Sequence, residues 1–132
     1  MAVADRPVVR PRPVYLNLIA IRQPVPAIVS IMHRITGALL FLAGIPLLLW
    51  LIQRLLASPE AYEAASRTLA APLGKVAVFG VVWGYLFHLL AGIRHLTLDL
   101  RAGLTLASAR SSAAAVLVLS LLLAAVVAVR LW

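Results

Sequence analysis

The sequence contains no cysteine. This absence excludes disulfide bonds, cysteine-ligated iron–sulfur clusters and thiol nucleophiles, and we expect any metal to be bound through histidine. Charged residues are also scarce, at 12% of the chain against 64% apolar residues. A water-soluble fold does not tolerate this balance, and the mean hydropathy of +1.04 agrees. The protein is therefore expected to lie in a lipid bilayer.

Three stretches of 18 or 19 residues carry no charge: 35–53, 76–93 and 111–129. About 20 apolar residues cross a bilayer as a helix, and a helix satisfies its own backbone polar groups in lipid. The sequence therefore predicts a single-domain, all-α integral membrane protein with three transmembrane helices. The predicted segments are an N-terminal segment 1–28, helices 29–56, 74–99 and 111–132, an outer loop 57–73 and a cytoplasmic loop 100–110.

The distribution of basic residues predicts the orientation. Eight of the 12 basic residues lie before the first apolar run or between the second and third runs. Under the positive-inside rule this places the N-terminus in the cytoplasm and the C-terminus on the outer side. The Arg- and Pro-rich residues 1–13 are then an aqueous tail and not a signal peptide. Since the arginines flank membrane spans, no nucleic-acid partner is expected.

The two loops carry signals of their own. Ser58, Pro59 and Glu60 are typical of a helix start, with Ser58 as the N-cap. The short cytoplasmic loop with Gly103 favours antiparallel packing of the second and third helices. In this topology Trp50 and Trp132 both fall at outer helix ends, where indole rings favour the interface.

Two polar clusters, residues 30–37 and 88–95, hold all three histidines of the chain. Ionisable residues at membrane depth indicate function. The first helix starts and the second helix ends at the cytoplasmic edge, so we expect the clusters to meet there. His88 precedes His95 by seven residues and should lie about 10 Å deeper.

Helical periodicity places Gly84, His88, Ala91 and His95 on one face of the second helix. Small residues on such a face are typical of close helix packing in membranes, and a flat cofactor needs the same absence of side chains. His88 itself fits either an interhelical hydrogen bond or the axial ligation of a haem iron.

Haem propionates would need cations near the aqueous edge, one to two turns above His88. The sequence places a cluster of such cations there, which we call the charged mouth: His33, Arg34, Arg94 and His95. Interfacial anchoring by His33 and His95, or snorkelling by Arg94, is the alternative. His88 and His95 lie on the same side of one helix and cannot both ligate one iron. A six-coordinate haem therefore requires a ligand from a partner membrane subunit.

The residues carry a resemblance to a known family. The signature residues are 12–18, Pro26-Ala27, 30–37, the loop Ser58-Pro59-Glu60, His88, 92–95 and Asp99. In order and spacing they resemble the cytochrome b membrane-anchor subunit of succinate dehydrogenase over almost the whole chain. Leu18 replaces a common acidic residue of that family, and Thr36 replaces a frequent serine.

The resemblance implies an anchor that pairs with a second membrane-anchor subunit and docks the iron–sulfur and flavoprotein subunits in a bacterial inner membrane. His88 then matches the axial ligand of haem b, shared with the partner. Ser30 and Arg34 match residues of the ubiquinone pocket, and His33, Arg34 and His95 lie where the family contacts the propionates. A fumarate reductase anchor, a haem-free structural anchor and a self-assembling channel are the alternative interpretations.

Overall fold

The computed structural model describes residues 20–132, and every regular element in that range is helical. The expected tail 1–13 and the signature 12–18 lie outside the described residues. The helices are α1 (Val25–Leu39), a π-helical turn (Leu40–Gly44), α2 (Ile45–Ala57), α3 (Pro59–Ala70), α4 (Pro72–Asp99) and α5 (Leu106–Leu131). Three helical stretches, Val25–Ala57, Pro72–Asp99 and Leu106–Leu131, are long and apolar enough to cross a membrane. The prediction of an all-α chain with three such helices is confirmed.

The first of these stretches begins at Val25, before the predicted position 29. Pro24 has an extended ψ of 152° and precedes the helix, and a proline stands in the first turn, where its missing N–H costs no helical hydrogen bond. The stretch comprises 33 residues, which at about 1.5 Å per residue is about 50 Å long. It therefore exceeds the roughly 30 Å hydrocarbon core of a bilayer.

The π-helical turn Leu40–Gly44 interrupts this stretch. The N–H of Ile45 donates to the carbonyl of Leu40, five residues earlier. Pro46 follows directly, and a proline inside a helix has no N–H to donate and crowds the carbonyl four residues before it. The helix meets this constraint by widening one turn.

Helix α3 begins as the sequence predicted. The Ser58 side chain caps it by accepting a hydrogen bond from the N–H of Ala61 at 3.1 Å. The Ser58 hydroxyl also donates to the carboxylate of Glu60, and this hydrogen bond lowers the pKa of that exposed carboxylate. A cavity of about 290 Å³ is lined by residues of both α2 and α3.

Helices α4 and α5 are antiparallel neighbours, as predicted. Near their connection, Arg94 contacts Ser112; at the far ends, the Lys75 Nζ lies 5.8 Å from the Trp132 ring centroid. The connection is shorter than the expected loop because α5 begins at Leu106. Two left-handed residues turn the chain there, Arg101 with φ 59° and Gly103 with φ 75°.

The buried core joins α1, α4 and α5. It consists of Val29, Phe87, Ala91, Ala113 and Val116. Among the described elements, helix α2 contacts α3 and the π-helical turn alone, so the C-terminal part of the first stretch stands away from this core. Large apolar side chains are exposed along it, as expected of a surface that faces lipid.

Candidate functional site

The fold brings the three histidines together between α1 and α4. The rings of His33 and His88 stack with centroids 4.1 Å apart and planes 15° apart. The ring of His95 lies next to that of His33, with the two centroids 5.0 Å apart. The two polar clusters of the sequence therefore form one site.

One turn of α1 holds the His88 ring. The Nδ1 atom of His88 lies 3.1 Å from the carbonyl oxygen of His33 and 3.3 Å from the hydroxyl of Thr36. Because a carbonyl oxygen only accepts hydrogen bonds, Nδ1 carries the proton in this arrangement. In a neutral imidazole with this tautomer the Nε2 atom carries no proton, and it has no hydrogen-bond partner in the described part of the chain.

Gly37 provides the space for this ring. A Cβ atom at position 37 would stand 2.7 Å from the Cε1 atom of His88, closer than real Cβ atoms come to other atoms. Gly92 on α4 also faces an imidazole, but its Cβ would meet the Nε2 atom of His33 at an ordinary 3.5 Å. Of the two, only Gly37 must lack a side chain for the imidazole ring of the neighbouring helix to fit.

Gly80 and Gly84 differ from this pair. A Cβ atom at either position would have no other atom of the described residues within 4 Å. Gly84 precedes His88 by one helical turn on the same face. Gly84 lines a cavity between α1 and α4. Close packing against the described residues therefore does not account for these two glycines.

The depth of His33 differs from the expectation. We expected this residue one to two turns above His88, whereas the two rings are in contact. Helix α1 begins at Val25, and eight residues of about 1.5 Å rise place His33 about 12 Å along the helix. His33 therefore lies two turns inside α1 and not in its first turn, and α1 packs on α4 so that this turn is level with His88.

Ser30 and Arg34 lie one turn apart on α1, on the face that also carries His33 and Gly37. The Ser30 side chain is half-buried and that of Arg34 is exposed. Within residues 20–132 neither side chain makes a hydrogen bond or an ion pair. Both polar groups are thus available to a ligand or to another subunit.

Arg94 does not belong to the cluster of polar side chains between α1 and α4. It is 7% exposed; its Nε donates to the Ser112 hydroxyl at 3.1 Å and its Nη2 to the Ala109 carbonyl at 3.3 Å. The expectation of a cation at the charged mouth is wrong for Arg94, because its guanidinium faces α5 and links two helices. Ser112 is a partner that the sequence analysis missed.

The sequence analysis also missed the contact of Thr36 with His88 and noted Thr36 only because it replaces a serine that is frequent in the resembled family. Its position three residues after His33 placed it on the same side of α1, which was the available signal. Thr36 also borders an apolar cavity of about 230 Å³ between α1 and α4. In the wall of that cavity stands Trp83, whose buried Nε1 atom has no hydrogen-bond partner among the described residues.

The ligating groups suit one kind of metal centre better than another. In the described part of the chain, no three His, Cys, Asp or Glu side chains could hold a metal ion together. A porphyrin already supplies the equatorial ligands of its iron and requires from the protein only axial ones, such as a neutral imidazole. The Nε2 atom of His88, which has no hydrogen-bond partner in the described part of the chain, fits that requirement.

Comparison with known proteins shows the family of this chain. Residues 9–127 match the model of the family described as the succinate dehydrogenase/fumarate reductase transmembrane subunit. The chain is 40% identical to the succinate dehydrogenase cytochrome b556 subunit of Paracoccus denitrificans over 113 residues, 86% of each chain. It is also 40% identical to the protein of that name in Coxiella burnetii (strain RSA 493 / Nine Mile phase I), over 92% of this chain and 97% of the relative. The chain therefore belongs to the family of succinate dehydrogenase and fumarate reductase transmembrane subunits.

Proposed function

We propose that this chain is the cytochrome b membrane-anchor subunit of a succinate dehydrogenase. In this proposal it binds haem b through His88 and helps to form the ubiquinone-reduction site. The observation that carries the proposal is the hydrogen bonding of His88: its Nδ1 lies 3.1 Å from the His33 carbonyl oxygen, and its Nε2 has no hydrogen-bond partner among the described residues. This is the usual arrangement of a metal-ligating histidine.

His88 would be one of two axial ligands. When bound, haem b supplies a one-electron redox centre whose iron takes neutral imidazole. The chain has three histidines, and His33 and His95 lie beside His88 and not across an open space from it. The opposite ligand therefore comes from a second membrane-anchor subunit, which would cover the open face at Gly84.

His33, Arg34 and His95 would hold the propionates of the haem. The row of rings from His88 to His33 and His95 provides imidazole N–H groups next to the proposed ligand. The exposed guanidinium of Arg34 adds a fixed cation one position after His33. Charge-assisted hydrogen bonds of this kind are stronger than neutral ones.

Ser30 and Arg34 would serve ubiquinone. A quinone carbonyl oxygen gains negative charge as it accepts electrons, and a placed hydroxyl donor and a fixed cation stabilise that charge. Both side chains are free of partners in the described residues, which leaves their donors available. Electrons would reach this site from the flavoprotein and iron–sulfur subunits, docked on the cytoplasmic side.

The proposal includes an orientation and a location. The basic residues favour a cytoplasmic N-terminus and an outer C-terminus, with the whole complex in a bacterial inner membrane. The polar site would then open toward the cytoplasmic face, where the soluble subunits dock. Cysteine-scanning accessibility of the α3 segment and of the connection between α4 and α5 tests this orientation.

A difference spectrum tests the haem assignment. The complex carrying His88→Leu should lose the reduced-minus-oxidised spectrum of low-spin haem b, because no other residue of this chain replaces the ligand. Tyr85→Leu is a matched control, since Tyr85 is an exposed aromatic residue on the same helix. An unchanged spectrum in the His88→Leu complex would refute the assignment.

The quinone assignment has a separate test. In the complexes with Ser30→Ala or Arg34→Leu, reduction of ubiquinone should fall while succinate oxidation by an artificial dye is retained. Loss of both activities together, with less assembled complex, would contradict a role confined to the quinone site. Haem content measured on the same samples separates this result from failure of the haem assignment.

A fumarate reductase anchor is the second candidate, because the matching family includes both enzymes. The two candidates share the anchor role and differ in the direction of the reaction. The ratio of succinate:quinone to quinol:fumarate rates of the purified complex distinguishes them.

A further inference from the structure

The hydroxyl of Thr36 has a defined hydrogen-bonding role toward α1. It lies 2.9 Å from the Met32 carbonyl oxygen and 3.1 Å from the His33 carbonyl oxygen. A hydroxyl has one proton and two lone pairs. Because the backbone carbonyls of α1 can only accept, the proton of Thr36 is directed to them.

The lone pairs of the same hydroxyl are then available to His88. The Thr36 Oγ1 lies 3.3 Å from Nδ1, and the His33 carbonyl oxygen lies 3.1 Å from it. The N–H of His88 is therefore shared between two acceptors, both of which belong to one turn of α1. This turn orients the ring of a residue 52 positions later in the chain.

We propose that Thr36 is a positioning residue for His88, whose hydroxyl fixes the rotation and the protonated nitrogen of the imidazole ring. A threonine suits this role because its branched side chain has few χ1 rotamers, and the bond to the backbone fixes one of them. The inference rests on the proposed function, in which His88 ligates haem iron. Thr36 itself would touch neither the iron nor the quinone.

The expected consequence is electronic as well as geometric. A hydrogen bond accepted from the far nitrogen of a ligating histidine makes the imidazole a stronger donor to the metal. A stronger donor favours the oxidised iron and lowers its reduction potential. Removing the Thr36 hydroxyl should therefore raise the midpoint potential of the haem.

Thr36→Val tests this inference, because valine keeps the branched shape and lacks the hydroxyl. In the assembled complex we expect a higher midpoint potential and altered electron paramagnetic resonance g-values of the low-spin haem. A tenfold change in the relative affinity for the two iron states corresponds to about 59 mV for one electron. Thr36→Ser should restore the wild-type values, since it returns the hydroxyl.

Thr68→Val is a matched control. The Thr68 hydroxyl likewise donates to a carbonyl four residues earlier, at 2.9 Å, but it lies on α3 and has no contact with His88. This variant should keep the wild-type potential. Thr36→Ala provides a second hydroxyl-free variant if Thr36→Val prevents assembly, and the same rise in potential is expected for it.

The outcomes separate this inference from the proposed function. A wild-type potential and wild-type g-values in the hydroxyl-free variants would overturn the role of Thr36 alone. The same disturbance in Thr36→Ser as in Thr36→Val would also overturn it, because the hydroxyl would then not be the determinant. A wild-type complex without haem, or a His88→Leu complex with an unchanged spectrum, would overturn the proposed function and this inference together.

Discussion

The position of His88 against Gly37 leads to a quantitative prediction for Gly37→Ala. The added Cβ atom would lie 2.7 Å from Cε1 and 3.3 Å from Nδ1 of His88. Carbon atoms pack best at about 3.5–4.0 Å, so the ring and the new methyl group must separate by at least about 0.8 Å to reach ordinary contact.

The ring has little freedom to make this move. The His33 ring stacks on it with centroids 4.1 Å apart. Its Nδ1 is 3.1 Å from the His33 carbonyl oxygen, and a hydrogen bond is lost when that distance reaches about 3.6 Å. Either this bond breaks or α1 and α4 separate. Overpacking of this kind costs about 1–3 kcal/mol, which is about 5- to 150-fold in an equilibrium constant.

The assay is the haem b content of the purified complex, measured together with its melting temperature. We expect Gly37→Ala to lower both, with an altered low-spin spectrum in the haem that remains. Gly44→Ala is the matched control on the same stretch, because its Cβ would meet Leu40 Cδ2 at an ordinary 3.5 Å. A Gly37→Ala complex with wild-type haem content and spectrum would refute the close packing of the His88 ring against Gly37.

Three further predictions concern other parts of the chain. Ser58→Ala should destabilise α3 by about 1 kcal/mol, seen as faster amide hydrogen exchange in its first turn, whereas Ser58→Asp should retain the cap. The Ser58 hydroxyl lowers the pKa of Glu60. The stabilisation from that carboxylate is therefore present above its unfolded pKa and is lost as the pH falls through its folded pKa. Ser58→Ala should raise the Glu60 pKa in an NMR titration. Ser112→Ala removes an acceptor of the buried Arg94 guanidinium and should cost about 1–3 kcal/mol, measured as a lower melting temperature of the complex; a wild-type value would contradict the link between α4 and α5. Gly84→Leu should reduce the haem content, since the new side chain enters the space that this chain leaves open beside His88, and an unchanged content would show that nothing else occupies this space.

The composition and the uncharged runs were sufficient to predict the helical fold. The number of membrane-spanning helical stretches follows from the length of the uncharged runs. The start of α3 follows from the local chemistry of Ser58. The antiparallel packing of α4 and α5 follows from a short connection. These features depend on residues close together in the sequence, which is why a single sequence reveals them.

The internal arrangement of the site was predictable only in part. Helical periodicity identified His88 and Gly84 as residues of one face, but it did not reveal which atoms of α1 meet the His88 ring. That contact depends on where α1 begins and on how two helices cross, and both are tertiary properties. The direction of Arg94 was missed for the same reason, because a serine on α5 offers an acceptor that local spacing does not indicate.

The π-helical turn at Leu40–Gly44 has a consequence for the angular register of the first stretch. A regular α-helix advances about 100° per residue, so one residue more or fewer in this turn would rotate α2 about its axis by that angle relative to α1. The face of α2 that now meets α3 would point elsewhere, while His33 and Thr36 would keep their places against α4. Such insertions or deletions in the turn would therefore leave the N-terminal part of the stretch unchanged and would alter the placement of α3.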